Sequence, residues 1–107
     1  CGLVVNPDQW DAQVQAGVVW GLAHTFSTGH TVNAGELSQK NFDTYKLPRI
    51  GQMSEYEVHA VPTKNDPTGI GEPVFHTMAP AITNAIFAAT GKRIRSLPLN
   101  KHGMSLA

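Results

Sequence analysis

Apolar residues recur every four positions in one part of the chain and every two in another, and these two periods predict different elements. Trp10, Val14, Val18, Leu22 and Phe26 make a single stripe, which predicts an amphipathic helix of about five turns. Asn6-Pro7-Asp8-Gln9 predicts its start, with Asn6 as cap, Pro7 at the first helical position and Gln9 three residues past the cap. Gly29 is the predicted stop. Gly17 and Gly21, with Ala12 and Ala16 beside them, weaken a helix by about 1 kcal/mol per glycine. Their presence predicts that another backbone, or a ligand, comes very close to this helix.

Downstream, Asn33-Ala34-Gly35 lies between His30-Thr31-Val32 and Glu36-Leu37-Ser38, which predicts a hairpin with Gly35 left-handed. Residues 41–50 read as irregular, anchored by Phe42, Tyr45 and Leu47. From Glu55 to Val61 the pattern alternates, with Tyr56, Val58 and Ala60 on one side and Glu55, Glu57 and His59 on the other, as in a strand covered on one face. Lys64 to Pro73 is a Pro/Gly loop. Ala79 to Thr90 predicts a second helix, with Pro80 in its first turn, Ile82, Ile86 and Ala89 inward, and Gly91 at its end. Ile94 to Leu99 can add a short strand. The expected class is α+β: two amphipathic helices packed on short mixed strands, in a single domain spanning residues 1–107.

At 107 residues the chain is too short for two domains. Its eight basic and eight acidic residues balance, so no global field draws in nucleic acid or an anionic surface. No apolar run reaches membrane-spanning length, and no membrane insertion is expected. A single cysteine, Cys1, precludes an internal disulfide. The five histidines share no metal-ligand spacing, which argues against zinc. Leu3-Val4-Val5 follows directly on Cys1, and this opening reads as the continuation of a longer chain.

The chemistry concentrates in Pro67-Thr68-Gly69-Ile70-Gly71-Glu72-Pro73. Gly71 lets backbone come close to a ligand, and Pro73 confines Glu72 to extended conformations, so the carboxylate direction is partly set in advance. A lone carboxylate on a constrained loop suits a general base. On spacing alone, a glutamate that favours the dipole of the helix behind it is the commoner reading. Val74 stands where a dinucleotide loop needs its third glycine, and no Lys-Ser/Thr follows for a phosphate-binding loop. Gln13 lies off the apolar stripe, one turn before Gly17, where it can hydrogen-bond a ligand over the glycine face; most such glutamines are solvated. Lys92, Arg93 and Arg95 read as a solvated edge.

Taken in order, these motifs resemble a known family. Cys1-Gly2-Leu3-Val4-Val5-Asn6-Pro7, Gln13 through Leu22, Asn41-Phe42 with Tyr45, Glu57-Val58-His59, Gly69 to Pro73, and Ala79 through Leu99 together resemble the C-terminal segment of the molybdenum-binding large subunit of xanthine dehydrogenase-family molybdenum hydroxylases. The isoquinoline 1-oxidoreductase beta-subunit and aldehyde oxidoreductase types are the most similar. Departures are Ala16-Gly17 where two glycines are usual, Gln15 where an acid is usual, and Val74-Phe75-His76-Thr77 in place of a proline-richer run.

The resemblance implies an oxidoreductase that hydroxylates an N-heterocycle or aldehyde with water-derived oxygen, and it implies residue roles. Glu72 would be the general base, Gln13 a hydrogen-bonding partner of the cofactor, and Gly71 the residue that gives access. The implied cofactor is a molybdenum–pyranopterin, as molybdopterin cytosine dinucleotide, in the complete enzyme and absent from the isolated chain. Implied partners are the remainder of the large subunit, a 2Fe–2S iron–sulfur small subunit and a small-molecule substrate, with self-association of the chain when alone. Cytoplasm and periplasm both remain open. Two alternatives stand beside this reading: an interaction or structural domain that keeps the fold without the activity, and a small cofactor-free acid–base enzyme using Glu72.

Overall fold

Asn6 and Pro7 start the first helix as the sequence predicts. In the computed structural model, which describes residues 1–53 and 55–106, α1 runs Pro7–Phe26, and the Asn6 side chain accepts the Gln9 N–H at 3.2 Å. The helix ends three residues before Gly29, because the Ser27 and Thr28 N–H groups both turn back onto the Ala23 carbonyl at 2.9 Å. Its buried face is not the large-residue stripe. Trp10, Val14, Val18, Leu22 and Phe26 are each half-buried, whereas Gly17, Gly21 and Thr25, spaced four apart, are buried.

That small-residue face packs against the second helix. α2 runs Phe75–Thr90, beginning four residues before the predicted Ala79. A turn closed by the Phe75 N–H on the Glu72 carbonyl (3.1 Å) leads into it, and Thr77 Oγ1 donates to the Val74 carbonyl at 2.8 Å. Pro80 therefore lies inside the helix, as its sixth residue, and not in the first turn. The bond its missing N–H would make to the His76 carbonyl is lost; both residues are exposed, so water can satisfy that oxygen. Gly91 ends the helix as expected, left-handed at φ 71°, with its N–H on the Phe87 carbonyl at 2.8 Å.

At the seam between the helices a methyl group has no room. A Cβ on Gly17 would lie 2.8 Å from the Val74 Cβ, and one on Gly21 would lie 2.7 Å from the Phe75 carbonyl oxygen. The predicted close approach is thus made by a neighbouring helix. Beside it, the Phe75 ring lies 4.6 Å from the Trp20 ring and 5.0 Å, edge-on, from His24.

Strand content is smaller than the sequence suggests, although the α+β class holds. β1 (Val32–Asn33) and β2 (Glu36–Leu37) form an antiparallel hairpin, with Val32 opposite Leu37. Ala34 and Gly35 are both left-handed (φ 50° and 84°), the backbone of a tight two-residue turn. The alternating segment at 55–61 is not a strand. No neighbouring strand among the described residues takes up its backbone groups, and an alternating pattern without a partner cannot make a sheet. Residues 94–99 likewise form no strand; Leu99–His102 is a 3-10 turn. Of the predicted anchors in residues 41–50, Tyr45 is half-buried and stacks on His30, but Phe42 is 74% exposed.

The tightest core sits at the C-terminal end of α1, where Ala23, Thr25, Ile94, Pro98 and Leu99 are buried, Leu99 completely. The rest is loosely covered. The accessible surface of 7859 Å² exceeds the roughly 5,800 Å² of a compact monomer of this mass.

Candidate functional site

The Pro/Gly loop is fastened to the start of the chain. Thr68 N–H donates to the Cys1 carbonyl at 3.1 Å, and the Trp10 indole N–H donates to Cys1 Sγ at 3.1 Å. Gly2, left-handed at φ 71° and buried, lies under the same loop: a Cβ there would meet the Asp66 carbonyl oxygen at 2.5 Å. These contacts lay the loop beside the first turns of α1. Nothing in the sequence signals Gly2, because its role depends on a loop far along the chain.

The result is an open recess of about 260 Å³, walled on one side by Asn6, Gln9 and Gln13 of α1 and its cap, and on the other by Thr68 and Ile70. Gln13 and the glycine-rich motif are thereby brought to one place. Gln13 is exposed, and its amide makes no hydrogen bond among the described residues. Gly71 is half-buried. A Cβ at Gly69 or Gly71 would meet nothing within 4 Å, and neither residue is left-handed. Neither crowding by the described residues nor a left-handed backbone therefore requires glycine at these two positions, in contrast to Gly2, Gly17 and Gly21, which are crowded by their own chain. The space a side chain would fill beside them is open.

Glu72 is exposed and lies outside the lining of the recess, two residues beyond Ile70 at the turn into α2. Its backbone carbonyl holds the start of the helix, while its carboxylate forms no ion pair among the described residues. His59 and His76 are exposed, with His59 3.2 Å from the Glu57 carboxylate. Among the described residues no three His, Cys, Asp or Glu side chains gather. Lys92, Arg93 and Arg95 are exposed, with Arg93 held over the Phe87 ring at 3.6 Å. Gln15 donates to the Asp11 carboxylate one turn back on α1.

The recess offers the neutral amides of Asn6, Gln9 and Gln13 and the Thr68 hydroxyl, beside apolar side chains that include Leu3, Val5, Trp10 and Ile70. Such a set suits the amide-like edges of a heterocycle, and its one soft atom, Cys1 Sγ, is already an acceptor for Trp10. A pyranopterin, with amide-like edges of this kind, fits this set of donors and acceptors.

Comparison with known proteins gives the family. The chain is 36% identical over 98 residues to the membrane-bound aldehyde dehydrogenase [pyrroloquinoline-quinone] of Gluconacetobacter polyoxogenes, covering 92% of this chain and 13% of that protein. It is 34% identical over 98 residues to the isoquinoline 1-oxidoreductase subunit beta of Brevundimonas diminuta, covering 92% and 12%. It is 30% identical over 106 residues to a putative xanthine dehydrogenase molybdenum-binding subunit of Escherichia coli (strain K12), covering 92% and 14%. The chain thus spans only a small part of the length of these relatives. Residues 1–54, which include Gln13 and the α1 wall of the recess, match the family model of the molybdopterin cofactor-binding domain. With this match over half its length, and with 34–36% identity to two of these relatives over 92% of the chain, the chain belongs to the molybdopterin cofactor-binding domain family.

Proposed function

We propose that this chain, as a single domain, forms one wall of the cofactor site in a molybdenum hydroxylase acting on an N-heterocycle or an aldehyde. The observation that carries this reading is the convergence of Gln13 with Thr68 and Ile70 on one recess. The cofactor is a molybdenum–pyranopterin in its cytosine dinucleotide form, and when bound it supplies two-electron redox chemistry and oxygen transfer. Gln13 orients it through an amide that can both donate and accept. Gly69 and Gly71 leave room for it along the loop. Glu72 accepts a proton at a carboxylate oxygen as general base, held at a turn whose backbone is tied to α2. The rest of the site comes from the remainder of a large subunit, and electrons leave through a 2Fe–2S small subunit. The relatives' names support this substrate class and a subunit assembly, since they include an isoquinoline oxidoreductase subunit beta and an aldehyde dehydrogenase.

The position of Glu72 outside the recess favours a second reading, a domain of the same fold that binds or supports without catalysing. The variant Glu72→Gln separates the two. In the complete enzyme it should keep its molybdenum and slow single-turnover reduction by substrate by ~10²–10⁴-fold, because an amide matches the shape but takes no proton. Reduction at the wild-type rate would return Glu72 to a helix-leading residue.

A further inference from the structure

We propose that the far end of α1 carries a separate site for a small oxyanion of the phosphate-monoester class. A cavity of about 500 Å³ opens there, walled by the segment after α1, the segment after the hairpin and the turn around Pro98. Two lysines, Lys46 and Lys101, line it, and among the described residues no carboxylate does. Asp43, the acid nearest in sequence, is exposed and outside the wall. In a chain of zero formal net charge, this is a local concentration of one sign within a concave surface, which focuses potential inward.

Gln39 adds to the same polarity because its side-chain acceptor is engaged. The Gln39 side-chain oxygen accepts the Thr31 N–H at 2.8 Å, which leaves its NH₂ as the uncommitted end of the amide. The Lys46 carbonyl accepts from the Ser27 hydroxyl at 3.4 Å. Tyr45 and Ser105 contribute hydroxyls with no partner among the described residues, and the Tyr45 ring is held by its stack on His30 at 5.0 Å. Two ammonium groups with an amide NH₂ and two hydroxyls suit a tetrahedral oxyanion, whose oxygens accept from several directions. Ser27 lies about 20 Å along the axis of α1 from Gln13, so this cavity is distinct from the recess described above.

The test is a titration of the full chain with inorganic phosphate at constant ionic strength, followed by amide chemical shifts. We expect saturable shifts at residues lining the cavity. Lys46→Gln and Lys101→Gln should each weaken binding about tenfold, the loss of one charged hydrogen bond, while Lys46→Arg should retain it. Gln13→Ala and Glu72→Gln should leave it unchanged, so the outcome is independent of the cofactor reading. Non-saturating shifts, or equal affinity in wild type and both glutamine variants, would overturn the proposal.

Discussion

Gln13 occupies an exposed position on α1 with no side-chain partner among the described residues, an unusual setting for a residue proposed to be buried in an assembly. In the complete enzyme, Gln13→Ala should remove one oriented hydrogen bond from a covered polar group, weakening cofactor retention by about 1–3 kcal/mol. Molybdenum content and turnover rate measured together check this; both unchanged would make Gln13 a solvated residue. As candidates, Gln13, Gly71 and Glu72 were visible in the sequence because each belongs to a short motif whose neighbours constrain it; their roles belong to the proposed function. Gly2 was not, since its left-handed backbone and its contact with Asp66 arise only when the chain start is laid against the loop. The recess-lining roles of Thr68 and Ile70 were hidden for the same reason.

Among the elements, the glycines fall into two groups with opposite expected behaviour. Gly21→Ala should destabilise the isolated chain by about 1–3 kcal/mol, because its methyl group would collide with α2 backbone at Phe75. Gly71→Ala should change that stability by less than about 0.5 kcal/mol, yet lower molybdenum content in the assembled enzyme. Urea unfolding reads the first effect and metal analysis the second; equal destabilisation by both would remove the argument that Gly71 makes room for something outside the chain. Helix ends were largely readable, since Asn6, Pro7 and Gly91 act within a single turn. The strand at 55–61 was misread because alternation describes which face is covered, whereas a strand exists only where a second one accepts its hydrogen bonds. The start of α2 was misplaced because Pro80 looked like a boundary, and its cost is small where water reaches the freed carbonyl.

For the molecule as a whole, surface is the dominant fact. The excess over a compact monomer of equal mass is accompanied by an apolar groove on the outer side of α1, lined by Ala12, Ala16, Val19, Trp20, Leu47 and Tyr56. Trp20 is 50% exposed there. Patches of this kind drive association in water. The purified chain alone should therefore sediment as a concentration-dependent mixture of species. It should also hold no stoichiometric molybdenum, since a recess of about 260 Å³ open to solvent covers little of a ligand that such sites normally enclose. A strictly monomeric chain, or one loaded with metal, would count against this description.

The glycine seam between α1 and α2 also limits how the molecule can change over generations. On the α1 side the two helices already meet with nothing left to trim, because glycine has no side chain to lose. Every replacement at Gly17 or Gly21 can only push the helices apart, and α2 is joined directly to the loop that carries Glu72. Accumulated mutations at these two glycines would therefore act as a ratchet, able to open the gap between α1 and that loop and unable to narrow it.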